Sequence, residues 1–402
     1  MKGLEFGVPN PDKKRMQNCR IDLPATLITG GGSRSQLGSL AKELGGNRVL
    51  LVTDPGVIAL GLAEEVADIL NKSGLVVAIF SDVQADPTEA NVAAGVEAAR
   101  AHQADLIVAL GGGSPIDTAK VIAIRPTNPE PLSDFMGLHR IRNAGVPLIA
   151  VPTTAGTGSE ATRVAVITDT ERQIKMMMMS APLLPRVAVV DFELSMSMPR
   201  PLTAAVGVDT LTHGIEAYVS GKANAMSDPI ALSCIRLVGR YLRRAWNNPD
   251  DREARGGMML AACQGGMAFS NSSVCLVHGM SRPIGAVFHL PHGLSNAVLL
   301  PTITQFTWPA AINRYAEIAR TLGVVGTESS DTEACRALVD SLSRLNHDLD
   351  LPRLSRCQNV RRGRFDQQVE KMARDALASG SPANNPRVPS HDEIVDLYRQ
   401  AW

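Results

Sequence analysis

From about residue 25 to 191, short β-branched and aliphatic runs alternate with stretches whose apolar residues recur every three to four positions. The runs Arg48 to Thr53, Val76 to Phe80, Asp105 to Leu110 and Pro147 to Val151 predict strands, and helical spacing appears near 60–72, 88–102 and 115–124. Such alternation predicts βαβ units, hence a mainly parallel sheet covered on both faces. The β-like runs Arg163 to Thr168 and Val187 to Val190 are expected to complete it. Beyond Met198-Pro-Arg-Pro201 strand signals nearly vanish, and helical patterns follow over 203–219, 227–245 and 252–270. A chain of 402 residues exceeds one ordinary core. The expected division is an α/β domain, 1–198, and an all-helical domain, 199–402, meeting at a packed junction, since no flexible linker, repeat or low-complexity tract separates them. The run Met176 to Met179 reads as adaptable packing.

Charge narrows the partners. Forty basic and forty acidic residues balance, leaving no electrostatic reason to expect nucleic acid or an anionic membrane surface. A small molecule bound between the two domains is the better expectation. The six cysteines form no CxxC pair and no regular framework, so they read as reduced thiols. Lys2, Glu5, Asp12, Lys13, Lys14 and Arg15 precede any apolar run, unlike a secretory signal, and no apolar run reaches the roughly 18 residues of a spanning helix. A cytoplasmic location is expected.

Two glycine-bearing segments follow strands. In Gly111-Gly-Gly-Ser-Pro-Ile-Asp-Thr-Ala-Lys120, a helix opened by Ser114 and Pro115 offers free N–H groups to an anion such as a diphosphate. It is no GxGxxG fingerprint, because Ile116 takes the last glycine's place, and an ordinary turn capped by Ser114 is the alternative. Pro152-Thr-Thr-Ala-Gly-Thr-Gly-Ser-Glu160 packs Thr153, Thr154, Thr157 and Ser159 into a loop with several donors for ribose and phosphate oxygens, or is a plain surface loop. Asp54 ends a strand where a carboxylate can bind an adenosine ribose and repel a 2′-phosphate, or simply forms the turn before Pro55.

The candidate metal residues begin with Asp209 and His213, four apart and so on one helix face. His278, in Val-His-Gly-Met, and His292, in Pro-His-Gly, are flanked by glycine, a setting that the other five of eight histidines lack. One carboxylate and three imidazoles suit Fe²⁺, Zn²⁺ or a related cation, with an exposed helix and incidental loop histidines as the alternative.

Together with Ala378-Ser-Gly-Ser-Pro-Ala-Asn-Asn-Pro-Arg387 and Leu397-Tyr-Arg-Gln-Ala-Trp402, these motifs make the chain resemble the iron-containing, or group III, alcohol dehydrogenases over nearly its whole length. The resemblance implies a dinucleotide-binding α/β domain, a helical metal-binding domain, a cleft between them and a homodimer. It places the metal on Asp209, His213, His278 and His292, with Fe²⁺ as the expected ion and Zn²⁺ as the other option. It places NAD on Asp54, Gly112, Gly113, Ser114, Asp117, Thr153, Thr154, Thr157 and Ser159, with Lys175 as a basic cofactor contact. Phe269 and Val164 match positions lining the substrate pocket, and core packing is their alternative role. With His278 and Arg282 they make up the candidate catalytic set.

The implied activity is metal-dependent hydride transfer between NAD(H) and a small primary alcohol or aldehyde. Alternatives are an anionic hydroxy acid or semialdehyde as substrate, or a glycerol-dehydrogenase-like enzyme of the same superfamily. One departure from the family stands out. Many members carry a proton-relaying histidine four residues after the ligand matching His278, where this chain has Arg282, which stays protonated. The proton is then expected to leave through water, a cofactor hydroxyl or another group, and nothing in the sequence places His289 for that task.

Overall fold

The computed structural model describes residues 18–172 and 174–402; the charged stretch Lys2 to Arg15 lies outside the described residues. Strands β1 (Thr26–Thr29), β2 (Arg48–Val52), β3 (Val76–Phe80), β4 (Leu106–Gly111), β6 (Leu148–Pro152) and β9 (Val187–Val190) form one sheet in the order β1-β9-β6-β4-β2-β3. Every pairing in it is parallel. β4, β6 and β9 are buried along their full length, as a sheet with helices on both faces demands. The chain runs from β2 outward to β3, then crosses back to β4 on the other side of β2. Neighbouring strand ends at such a reversal leave a crevice at their carboxyl edge. Asp54 follows β2 and Gly111 closes β4, so both stand there.

The Arg163–Thr168 run does not join this sheet, contrary to the sequence expectation. It forms β7 (Val164–Asp169), pairs antiparallel with β8 (Ile174–Met179), and β8 pairs in turn with β5 (Gly137–Leu138). The reason lies in its pattern: β7 alternates half-exposed and buried residues, the mark of a one-sided sheet, whereas β9 is buried throughout. The methionine run is therefore half of a strand. Met176 and Met178 are fully buried with Ile124, Ala165 and Ile167. Met177 and Met179 face the large cavity described below.

Among the described residues no strand follows Val190. Helix Arg200–Val219 is the axis of the helical part and is buried from Thr203 to Val219 apart from Val206, so it shows no solvent stripe. Helices Ser227–Asn247, Arg252–Ser272 and His292–Thr307 pack around it. No described helix is long and apolar enough to cross a membrane. All six cysteines are free thiols, five of them buried.

Candidate metal and cofactor site

Asp209 and His213 lie one turn apart on helix Arg200–Val219, both buried. His278 is on helix Leu276–Phe288, and His292 is the first residue of helix His292–Thr307. The next residue, Gly293, lets that helix touch its neighbour, because a Cβ there would stand 2.6 Å from the Ala205 carbonyl oxygen. The four side chains meet with their ligand atoms all within 4.8 Å of one another. Nε2 of His213, His278 and His292 stands 3.8, 3.7 and 3.9 Å from Asp209 Oδ1. Donors around one tetrahedral ion at about 2.0–2.2 Å lie roughly 3.3–3.6 Å apart, so a small contraction completes the set.

Two observations show that these residues fit a cation. The amide nitrogen of Asn296 lies 2.6 Å from Asp209 Oδ1 and 3.2 Å from Nε2 of both His278 and His292. An NH₂ group has two protons and cannot satisfy three converging lone pairs, whereas a divalent ion can. Glu216 supplies the second observation. Its carboxylate accepts the backbone N–H of Cys275 and Val277 at the start of the His278 helix and contacts His278 Nδ1 at 2.6 Å. With the Nδ1 proton committed there, Nε2 keeps its lone pair for the centre. Burial, together with the neighbouring His213 and His292, lowers the His278 pKa well below its ordinary value, so the ring stays neutral. Burial pushes Glu216 up to about 7 against the opposing pull of its hydrogen bonds.

The site opens on a cavity of about 730 Å³ that also reaches the loops after β4 and β6. Gly113, Ser114, Asp117, Thr157, Ser159, Val164, Lys175, Phe269 and Arg282 line it along with Asp209, His213, His278 and His292. Asp54, Gly112, Thr153 and Thr154 do not line it; they follow β2, β4 and β6 at the carboxyl edge of the sheet. Asp54 caps the short helix Pro55–Ala59 through Val57 N and also abuts Gly111, where a Cβ would meet its Oδ2 at 3.3 Å. Thr153 N donates to Gly111 O at 2.9 Å, and Thr154 Oγ1 lies 3.3 Å from where a Gly112 Cβ would stand. Ser114 is not the helix cap: Gly112 occupies that position, no side chain caps the helix, and its first N–H groups stay open to a ligand.

Asp117 and Lys120 organise the second loop. Asp117 accepts from Ser159 Oγ at 2.5 Å and Val166 N at 2.9 Å. Buried Lys120 donates to Ser159 Oγ, Thr162 Oγ1 and Val164 O at 2.6–2.9 Å. Lys175 pairs with Asp86 at the cavity rim. Phe269 stacks on His213 with ring centroids 4.5 Å apart, giving the ligand set an apolar wall. His289 caps the end of its helix in a left-handed conformation and does not line the cavity. Sequence reading passed over Glu216 and Asn296, although each had a spacing signal: Glu216 is three residues after His213, and Asn296 is four after His292.

Glu160 ends the same loop, and burial raises its carboxyl to about 7. A carboxyl whose pKa rises on folding contributes stability that is present below its ordinary value and lost as pH climbs through the folded one. Wild type is therefore expected to lose on the order of 3 kcal/mol relative to Glu160→Gln between about pH 4.5 and 7.5. Urea melts of metal-free protein across that range test this; a pH-independent difference would contradict it.

A parallel sheet with a nucleotide-type crevice, joined to a helical bundle that carries a His₃Asp set, defines a metal- and dinucleotide-dependent oxidoreductase. The family described as iron-containing alcohol dehydrogenase matches residues 24–192, and its C-terminal counterpart matches residues 203–402. The chain belongs to the iron-containing alcohol dehydrogenase family. It is 36% identical to an NAD-dependent methanol dehydrogenase of Bacillus methanolicus over 94% of this chain and 98% of that protein. It is 37% identical to a 1,3-propanediol dehydrogenase of Citrobacter freundii, again over 94% and 98%. The crystal structure of a 1,3-propanediol oxidoreductase superposes with a TM-score of 0.93 at 36% identity, covering 96% of this chain and all of that one.

Proposed function

We propose that this chain interconverts a small primary alcohol and its aldehyde with NAD(H), at a divalent metal, Fe²⁺ in the first instance, held by Asp209, His213, His278 and His292. The observation that carries the reading is one cavity bounded both by these ligands and by Gly113, Ser114 and Thr157 at the strand ends. When bound, the cation supplies Lewis acidity to the substrate oxygen and NAD(H) exchanges the hydride, so that aldehyde, NADH and a proton balance against alcohol and NAD⁺.

The chain's own residues orient and exclude. The open N–H groups at Gly113 and Ser114 and the hydroxyls of Thr153, Thr154, Thr157 and Ser159 bind the diphosphate and ribose, and Lys175 adds a positive charge. Asp54 stands at the strand end where a ribose hydroxyl binds, and its charge disfavours an added 2′-phosphate. Phe269, Val164 and Met177 surround the reacting carbon and keep water away. The reading includes a division into domains 1–198 and 199–402 and a homodimer in the cytoplasm.

The deciding experiment follows NADH and NADPH oxidation against short aldehydes with Fe²⁺-reconstituted and chelator-treated protein. Turnover is expected with NADH, at least about tenfold better than with NADPH, and lost on metal removal. Full turnover after metal removal, or none with any aldehyde, overturns the reading; equal use of NADPH overturns the role of Asp54.

A further inference from the structure

Several cations stand on the wall of the cavity, and they differ in how they are satisfied. Arg163 pairs with Asp22 and Lys175 with Asp86. Arg282 has no such partner: its guanidinium donates to Ser381 Oγ at 3.0 Å and points another N–H at Met177 Sδ, 3.7 Å away. Among the described residues it forms no ion pair with a carboxylate. The acidic group that acts on it is Glu216, which is already committed to His278 and two backbone N–H groups. Lys222, also on the wall, likewise forms no ion pair among the described residues.

Placement makes the unpaired guanidinium informative. Arg282 is four residues after His278 on one helix, so the two side chains share a face and lie about one turn, roughly 5.4 Å, apart along the axis. A half-buried cation beside a site built for a divalent ion is unfavourable unless an anion offsets both. The Ser381 hydroxyl accepts from Arg282 and so keeps its own proton to donate. Guanidinium and hydroxyl together form a forked donor set that matches a carboxylate or sulfonate.

Resting on the alcohol–aldehyde reading above, we propose that the substrate carries an anionic head group bound by Arg282 and Ser381, while its carbonyl or hydroxyl end lies at the Asp209–His213–His278–His292 set. The enzyme then reduces short semialdehydes, or oxidises the matching hydroxy acids, in preference to neutral compounds of equal length. Arg282 is its specificity-determining residue.

The test compares kcat/KM of the Fe²⁺-reconstituted enzyme for succinic semialdehyde and sulfoacetaldehyde with butanal and propanal. The anionic aldehydes are expected to be preferred at least about tenfold, and Arg282→Gln to reduce that ratio about ten- to a hundredfold. Arg282→Lys should recover part of it. A parallel measurement needs no turnover: succinate, an unreactive anion, should raise the melting temperature of the wild-type NADH complex and leave that of Arg282→Gln unchanged. Should the variant not fold, the wild-type preference and the succinate shift still decide. Neutral aldehydes used as well as anionic ones overturn this proposal alone. So does an Arg282→Gln enzyme that binds NADH more weakly by fluorescence titration and loses all aldehydes in parallel, which would make Arg282 a cofactor contact. If no aldehyde oxidises NADH, the underlying reading falls, and the succinate shift still shows whether Arg282 holds an anion.

Discussion

His278→Ala is expected to leave a folded protein that holds well under one metal ion per chain and has lost about a thousandfold or more in kcat/KM, on the order of 4 kcal/mol. The substitution removes one of three buried donors and breaks the 2.6 Å contact that fixes the ring's tautomer. Folding survives because the ligands lie on helices held by other contacts, and Glu216 retains the Cys275 and Val277 N–H groups. Glu216→Gln should have a smaller effect, about ten- to a hundredfold on metal affinity, since the ligand remains and only its orientation and basicity change. Metal analysis and steady-state rates on both variants provide the check. Stoichiometric metal with wild-type turnover in His278→Ala would remove these residues from the site.

The second large effect is expected at a glycine that offers no side chain to the site. A Cβ on Gly266 would stand 2.3 Å from the carbonyl oxygen of Gly158, and a Cβ on Gly158 would stand 2.4 Å from that of Ala262. Gly158 also has φ +61°, a conformation that side chains other than glycine resist. Backbone therefore touches backbone where the Thr157–Ser159 loop meets helix Arg252–Ser272, which carries Phe269 against His213. Gly266→Val must push the loop and the helix apart. It should destabilise the protein by about 3 kcal/mol or more. It should also depress kcat/KM about a hundredfold under conditions where the protein stays folded, because a displacement of roughly 1 Å between hydride donor and acceptor is costly. Urea melts and rates at low temperature separate the two losses. A variant within about 0.5 kcal/mol of wild type and fully active would show that the junction yields without consequence.

Both expectations depend on one arrangement, in which groups distant in sequence share a buried centre. The Glu216 carboxylate joins helix Arg200–Val219 to the start of the His278 helix, and the Asn296 amide joins both to helix His292–Thr307. Each contact crosses between elements, so strain in one is passed to the ligands of another.

Sequence by itself determined the parallel-sheet strands from β2 onward, the helical second half and the candidate ligand residues. These are properties of local period and residue type: continuous apolar runs, a 3.6-residue spacing, and imidazoles four residues from a carboxylate or beside glycine. It left β8 unread because Met176 to Met179 is one residue type repeated and carries no alternation to mark a strand, while β1 has only Leu27 and Ile28 between two threonines, a weaker apolar run than the equally short β9. Tertiary structure alone decided that β7 turns away from the parallel sheet to pair with β8. It alone brought Asp209, His213, His278 and His292 to one point, and surrounded Arg282 with Ser381 and Met177 rather than a carboxylate. The physical reason is common to all three. Which surfaces are buried against each other, and so which charges must find partners, is set by contacts between separate elements, such as Asp209 with His278 and Arg282 with Ser381, and a one-dimensional pattern records only the propensity to be buried, not the neighbour that completes the burial.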